Sequence, residues 1–91
     1  MSRLERATAT GLIQAGPLYL KSVVLQGGSA NSTALLQDTA AGGGADLLGL
    51  AALANSSEGW QSGAPRGVYF RTGLYLTLSG TGASVTVEYE Q

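Results

Sequence analysis

The residues that could do chemistry in this chain are few, and the most suggestive are two glutamates. Glu88 and Glu90 lie two apart, which on a strand places both carboxylates on one face. Carboxylate pairs perform acid–base work in glycoside hydrolysis, but there separate elements hold them across a cleft. Neighbours on one strand face read instead as a solvated polar stripe. Asp38, Asp46 and Glu58 could offer oxygen ligands to Ca²⁺ or Mg²⁺, yet no DxDxDG spacing frames them. The sequence has no His and no Cys. That removes the Ser-His-acid arrangement, thiolate metal sites, the commonest transition-metal ligand and disulfides. Lys21, the one lysine, sits inside an apolar stretch and suits a polar strand face better than the role of a base. No catalytic residue, metal site or cofactor is expected.

Gly42-Gly43-Gly44 and Gly80-Thr81-Gly82 complete neither GxGxxG nor GxxxxGK[ST], and no convincing helix follows either. Both read as turns. Asn31-Ser32-Thr33 and Asn55-Ser56-Ser57 match the glycosylation sequon but also read as turns. Arg66 and Arg71 flank Tyr69 and Phe70, a faint stacking platform. Five basic residues against six acidic ones do not make the positive footprint that nucleic acid requires. Arg and aromatic residues are equally at home in a protein interface.

The elements that must position these residues are strands. Leu74, Leu76 and Leu78 alternate with Tyr75, Thr77 and Ser79; beyond Gly80-Thr81-Gly82, Val85, Val87 and Tyr89 alternate with polar neighbours. Two period-two runs split by a short Gly-containing loop predict a β-hairpin over 73–91, with its apolar side on the core. Leu18–Leu25 predicts another strand, with Pro17 at its start and Gly27-Gly28 at its close. Ala7–Gln14 and Thr33–Asp38 predict two more, and Gly67–Arg71 predicts another or a bulged approach to the hairpin, with Thr72-Gly73 as the break. Residues 46–54 could form a helix capped by Asp46, with Leu47, Leu50 and Leu53 on one face, but Gly49 and the short length favour a strand. The stretch from Asn55 to Pro65 reads as a loop. Trp60 within it is either a cap over the end of a sandwich or an exposed anchor for a partner.

Six to eight short strands in 91 residues imply one all-β domain, an antiparallel β-sandwich with jelly-roll-like connections. Residues 1–6 read as an N-terminal arm ahead of a domain over 7–91. A chain of this size is marginally stable alone, and without disulfides or metals it leans on oligomerisation. Charged residues make up 12% of the chain and leave a net charge of −1, against about 25% in an average protein. Sparse charge favours association. No apolar run is long enough to cross a membrane, and no signal peptide is expected at the start.

Arg6-Ala-Thr-Ala-Thr-Gly-Leu-Ile, Leu18-Tyr-Leu-Lys-Ser-Val-Val-Leu and the run from Gly73 to Tyr89 resemble small virion proteins of tailed bacteriophages. The resemblance spans most of the chain and is strongest in the Gly73–Tyr89 segment. It implies a β-sandwich subunit that cements or decorates a capsid, often as a trimer. Its partners would be the major capsid protein and copies of itself, and its location the virion. The nearest rival is a tail or head–tail component (adaptor or fibre). A carbohydrate- or receptor-binding sandwich is the alternative of another class, with Trp60, Tyr69 and Tyr75 as stacking residues. On the capsid reading the expected interface residues are Arg3, Leu4, Arg6, Trp60, Arg66 and Arg71. Deleting residues 1–6 is then expected to weaken assembly without unfolding the domain.

Overall fold

A computed structural model describes residues 2–39, 46–63 and 67–91. Nine strands follow one another: β1 (Ser2–Ala7), β2 (Gly11–Ala15), β3 (Leu18–Gln26), β4 (Ser32–Asp38), β5 (Asp46–Ala52), β6 (Ser57–Gln61), β7 (Val68–Phe70), β8 (Gly73–Ser79) and β9 (Ser84–Glu90). They form two antiparallel sheets. Sheet A has the order β1-β9-β3-β6, with β7 also on β3; sheet B has the order β2-β8-β4-β5. Consecutive strands therefore alternate between sheets except at β4–β5 and β6–β7. Two four-position sheets wound in this order have the connectivity of a jelly roll.

The core lies between the sheets. Leu18, Leu20, Val23 and Leu25 of β3 and Val85, Val87 and Tyr89 of β9 meet Ala34 and Leu36 of β4 and Leu74 and Leu76 of β8, all buried. The buried positions of β3, β4, β8 and β9 are apolar almost throughout and point inward, as a sheet covered on one face demands. Of residues 46–54, Asp46–Ala52 forms strand β5, as favoured from the sequence, and the last two residues lie beyond it.

The expected hairpin over 73–91 does not form. Both of its strands exist, but β8 pairs with β2 and β4, while β9 pairs with β1 and β3. The segment Gly80–Ala83 is an arch that carries the chain across the core. Alternation cannot distinguish the two cases, since a hairpin and an arch both turn the apolar residues of two strands toward one core. Glycine makes the arch possible. Gly80 has φ +116°, and a Cβ there would lie 2.3 Å from the Ser32 hydroxyl oxygen. Ser29 N–H donates to the Thr81 carbonyl (3.0 Å), tying the β3–β4 loop to the arch.

The N-terminal arm is also corrected. Ser2–Ala7 is strand β1, in register with β9 from Ser2↔Glu90 to Ala7↔Val85. The segment expected to be one strand, Ala7–Gln14, is instead the end of β1, a bend and most of β2. β1 escapes sequence patterning because it lies at an edge, where Arg3 to Arg6 are all exposed.

The stretch from Asn55 to Pro65, expected to be a loop, contains β6. It pairs with Ser22–Gln26 of β3, and β7 pairs with Leu18–Leu20 of the same strand. The two short strands thus fill one edge position, interrupted opposite Lys21. There Ser62 N–H donates to the Lys21 carbonyl (2.8 Å). Gly67 closes the interruption with φ +97°, so near β3 that a Cβ would stand 2.4 Å from the Leu20 carbonyl oxygen.

Candidate interaction surface

Charge is distributed unevenly over the two sheets. The strands of sheet A carry Arg3, Glu5, Arg6, Lys21, Glu58, Glu88 and Glu90. Those of sheet B carry only Asp38, the last residue of β4, and Asp46, the first of β5.

Sheet A settles much of its charge internally. Lys21 Nζ lies 3.0 Å from Glu90 Oε2, and the Ser22 hydroxyl donates to Glu88 (3.4 Å). Glu88 and Glu90 thus act as separate members of a polar outer face. The Tyr89 hydroxyl, at the end of a fully buried side chain, donates to Glu5 Oε1 (2.7 Å) and lies 3.1 Å from Gln14 Oε1. It closes the side of the sandwich where β1 and β2 face each other. Burial raises the Tyr89 pKa, and the hydrogen bond and charge of Glu5 add to the rise against an opposing pull from Arg3.

Asp38 is the other structured charge. Its carboxylate accepts backbone N–H groups from Arg71 (2.9 Å), Thr72 (2.7 Å) and Gly73 (3.2 Å), pinning the β7–β8 turn to the end of β4. Burial alone would raise its pKa. The three backbone hydrogen bonds and the Arg71 charge outweigh that and hold it below its ordinary value.

The outward positions of sheet B are of a different kind. Register places Leu12 beside Tyr75, Thr77 between Leu35 and the β2 side, and Thr33 beside Ser79. On the β5 side, Gly49 lies opposite Leu35 and Ala51 opposite Thr33. Leu12 is 43% exposed and Leu47 51%. This surface of leucine, tyrosine, hydroxyl and small residues bears no charge at its outward positions among the described residues apart from the Asp38–Asp46 end.

The residues expected to form an interface do not come together. Arg3, Leu4 and Arg6 lie along β1, with Leu4 71% exposed. Trp60 lies on β6, at the opposite edge of sheet A. It is opposite Val23 and packs, partly buried, against the core, so it covers the core and is not a free anchor. Arg71 is exposed in the turn held by Asp38. Arg66 lies outside the described residues. The proposed stacking residues also diverge: Tyr69 pairs with Tyr19 on sheet A (ring centroids 5.2 Å apart), whereas Tyr75 belongs to sheet B.

Arg6 borders a shallow recess of about 470 Å³, lined also by Gln26, Asn55, Ser57 and Ser84. Its amide and hydroxyl groups can hydrogen-bond, but it holds no carboxylate and no nucleophile paired with a base. Among the described residues no group of three or more His, Cys, Asp or Glu is placed to hold a metal ion. Sequence reasoning missed sheet B as a surface because it totalled charge over the whole chain. Charge per strand does not separate the sheets, since β3 and β7 carry as little as β4 and β8; only the strand order gathers the surface. No protein-family model, curated protein or solved structure matches the chain.

Proposed function

We propose that this protein is a structural virion subunit that cements or decorates a phage capsid by packing against the major capsid protein and copies of itself. The observation that supports the reading best is the outer face of sheet B, which among the described residues bears no charge away from the Asp38–Asp46 end. Interface centres are depleted of charge and enriched in aromatic residues, and a small sandwich without disulfides gains stability from burying such a face. The sequence resemblance points to the same class of protein. A carbohydrate-binding reading has less support, since Trp60, Tyr69 and Tyr75 face three different surroundings.

Co-expression with the major capsid protein of the same genome tests the proposal. The wild-type chain should sediment with the assembled shells. Leu12→Glu combined with Thr77→Glu should leave it in the soluble fraction while its circular dichroism is retained. A wild-type chain that never accompanies shells overturns the capsid reading, and sedimentation with tails in its place establishes the rival virion role.

A further inference from the structure

A sheet edge presents unpaired backbone N–H and C=O groups, and native proteins blunt such edges with charge, proline, bulges or interruption. Three of the four edges here are blunted. β1 carries Arg3, Glu5 and Arg6. β2 is only five residues long, has a register shift between Leu12 and Gln14, and is followed closely by Pro17. The β6–β7 position is broken opposite Lys21. β5 is different. Its irregularity is confined to its start, near Leu47, and Leu48–Ala52 then pairs with β4 in unbroken register. That run contains no charge and no proline. Among the described residues no strand pairs with its other side.

The side chains at this edge are also incompletely covered. Leu48 and Leu50 face inward yet remain only partly buried, as does Trp60 on β6, and β5 and β6 approach each other at this side of the sandwich. The opposite side is closed by the Tyr89–Glu5–Gln14 hydrogen bonds. Leu47 and Leu53 bracket the run, 51% and 69% exposed, and lie equally far from Leu50.

We infer that β5 pairs antiparallel with β5 of a second copy about a two-fold axis at Leu50, joining two B sheets into one. The inference rests on the reading of the chain as an assembly subunit, and it replaces the trimer implied by the resemblance with a dimer. An isologous contact brings a surface onto itself in reverse, and the sequence of β5 suits that operation. With Leu50 opposite Leu50, Leu48 meets Ala52, Gly49 meets Ala51, and each exposed Leu47 meets the partner's Leu53. The inward leucines of the two copies then cover one another, and the free backbone groups are satisfied.

The chain has no cysteine, so disulfide trapping has no background. Single variants Leu47→Cys and Leu53→Cys are mixed and oxidised. A disulfide-linked pair should form in the mixture and not in either variant alone. Like positions would stand roughly 20 Å apart in this register, far beyond the reach of a disulfide. Sedimentation of the wild type at micromolar to sub-millimolar concentration should give a dimer. Ala51→Lys should abolish it with circular dichroism unchanged, whereas Leu12→Lys on the β2 edge should not. A wild-type monomer or trimer, equal cross-linking in all three samples, or an intact Ala51→Lys dimer overturns the β5 pairing and leaves capsid binding standing. Failure to sediment with shells alongside specific cross-linking overturns the capsid reading and leaves the dimer.

Discussion

Asp38 shows how one carboxylate can hold two strands of a small fold. It collects three N–H groups from the β7–β8 turn, and hydrogen bonds to an ionised acceptor are stronger than neutral ones. Asp38→Ala should therefore destabilise the protein by about 1–2 kcal/mol, read as a lower urea midpoint with unchanged slope at neutral pH. The folded-state pKa is depressed, so the stabilisation is present above the unfolded carboxylate value, about 3.9. It is lost as pH falls through the folded value. The gap between wild type and Asp38→Ala should accordingly close in acid, and a constant gap would mean that the ionised form is not what matters. Nothing in the sequence around Asp38 marks it as a turn clamp, because its partners lie more than thirty residues away.

At the scale of elements, β1 is the clearest revision. Removing residues 2–7 would strip one side of β9, expose the edge beside Val85, Val87 and Tyr89, and take Glu5 from the Tyr89 hydroxyl. The deletion should lower the thermal midpoint sharply or abolish cooperative unfolding. A deletion variant that melts like the wild type would restore the picture of a free arm. Strands with a buried side could be read from their apolar residues: in β8 and β9 Leu, Val and Tyr recur every second residue, and in β3 and β4 they cluster. β1, with charge at Arg3, Glu5 and Arg6, and β6, with Gly59 and few apolar residues, could not, because edge strands are held by backbone pairing that leaves little trace in side-chain pattern. The candidate interface suffered similarly. Residue type singles out Arg3, Leu4, Arg6 and Trp60, and only strand order reveals that β1 and β6 lie at opposite edges.

For the molecule as a whole, the winding order places the last two strands inside both sheets. β8 separates β2 from β4, and β9 separates β1 from β3. Most of the core therefore depends on contacts between residues far apart in sequence, and such topologies fold slowly. A chain ending at Ser79 lacks an interior strand of sheet A and its three buried apolar side chains, Val85, Val87 and Tyr89. It should show no cooperative thermal transition by circular dichroism, and a cooperative one would show that sheet B can stand alone. On the ribosome the same winding sets a timetable. Until Gly73–Ser79 has emerged, β2 has no neighbour in its sheet, and until Ser84–Glu90 follows, β1 has none in its own. Until then the nascent chain carries Leu18, Leu20, Val23 and Leu25 without the β8 and β9 side chains that pack with them in the folded core. Its exposure to aggregation or to chaperones is thus decided by where the two closing strands stand in the gene.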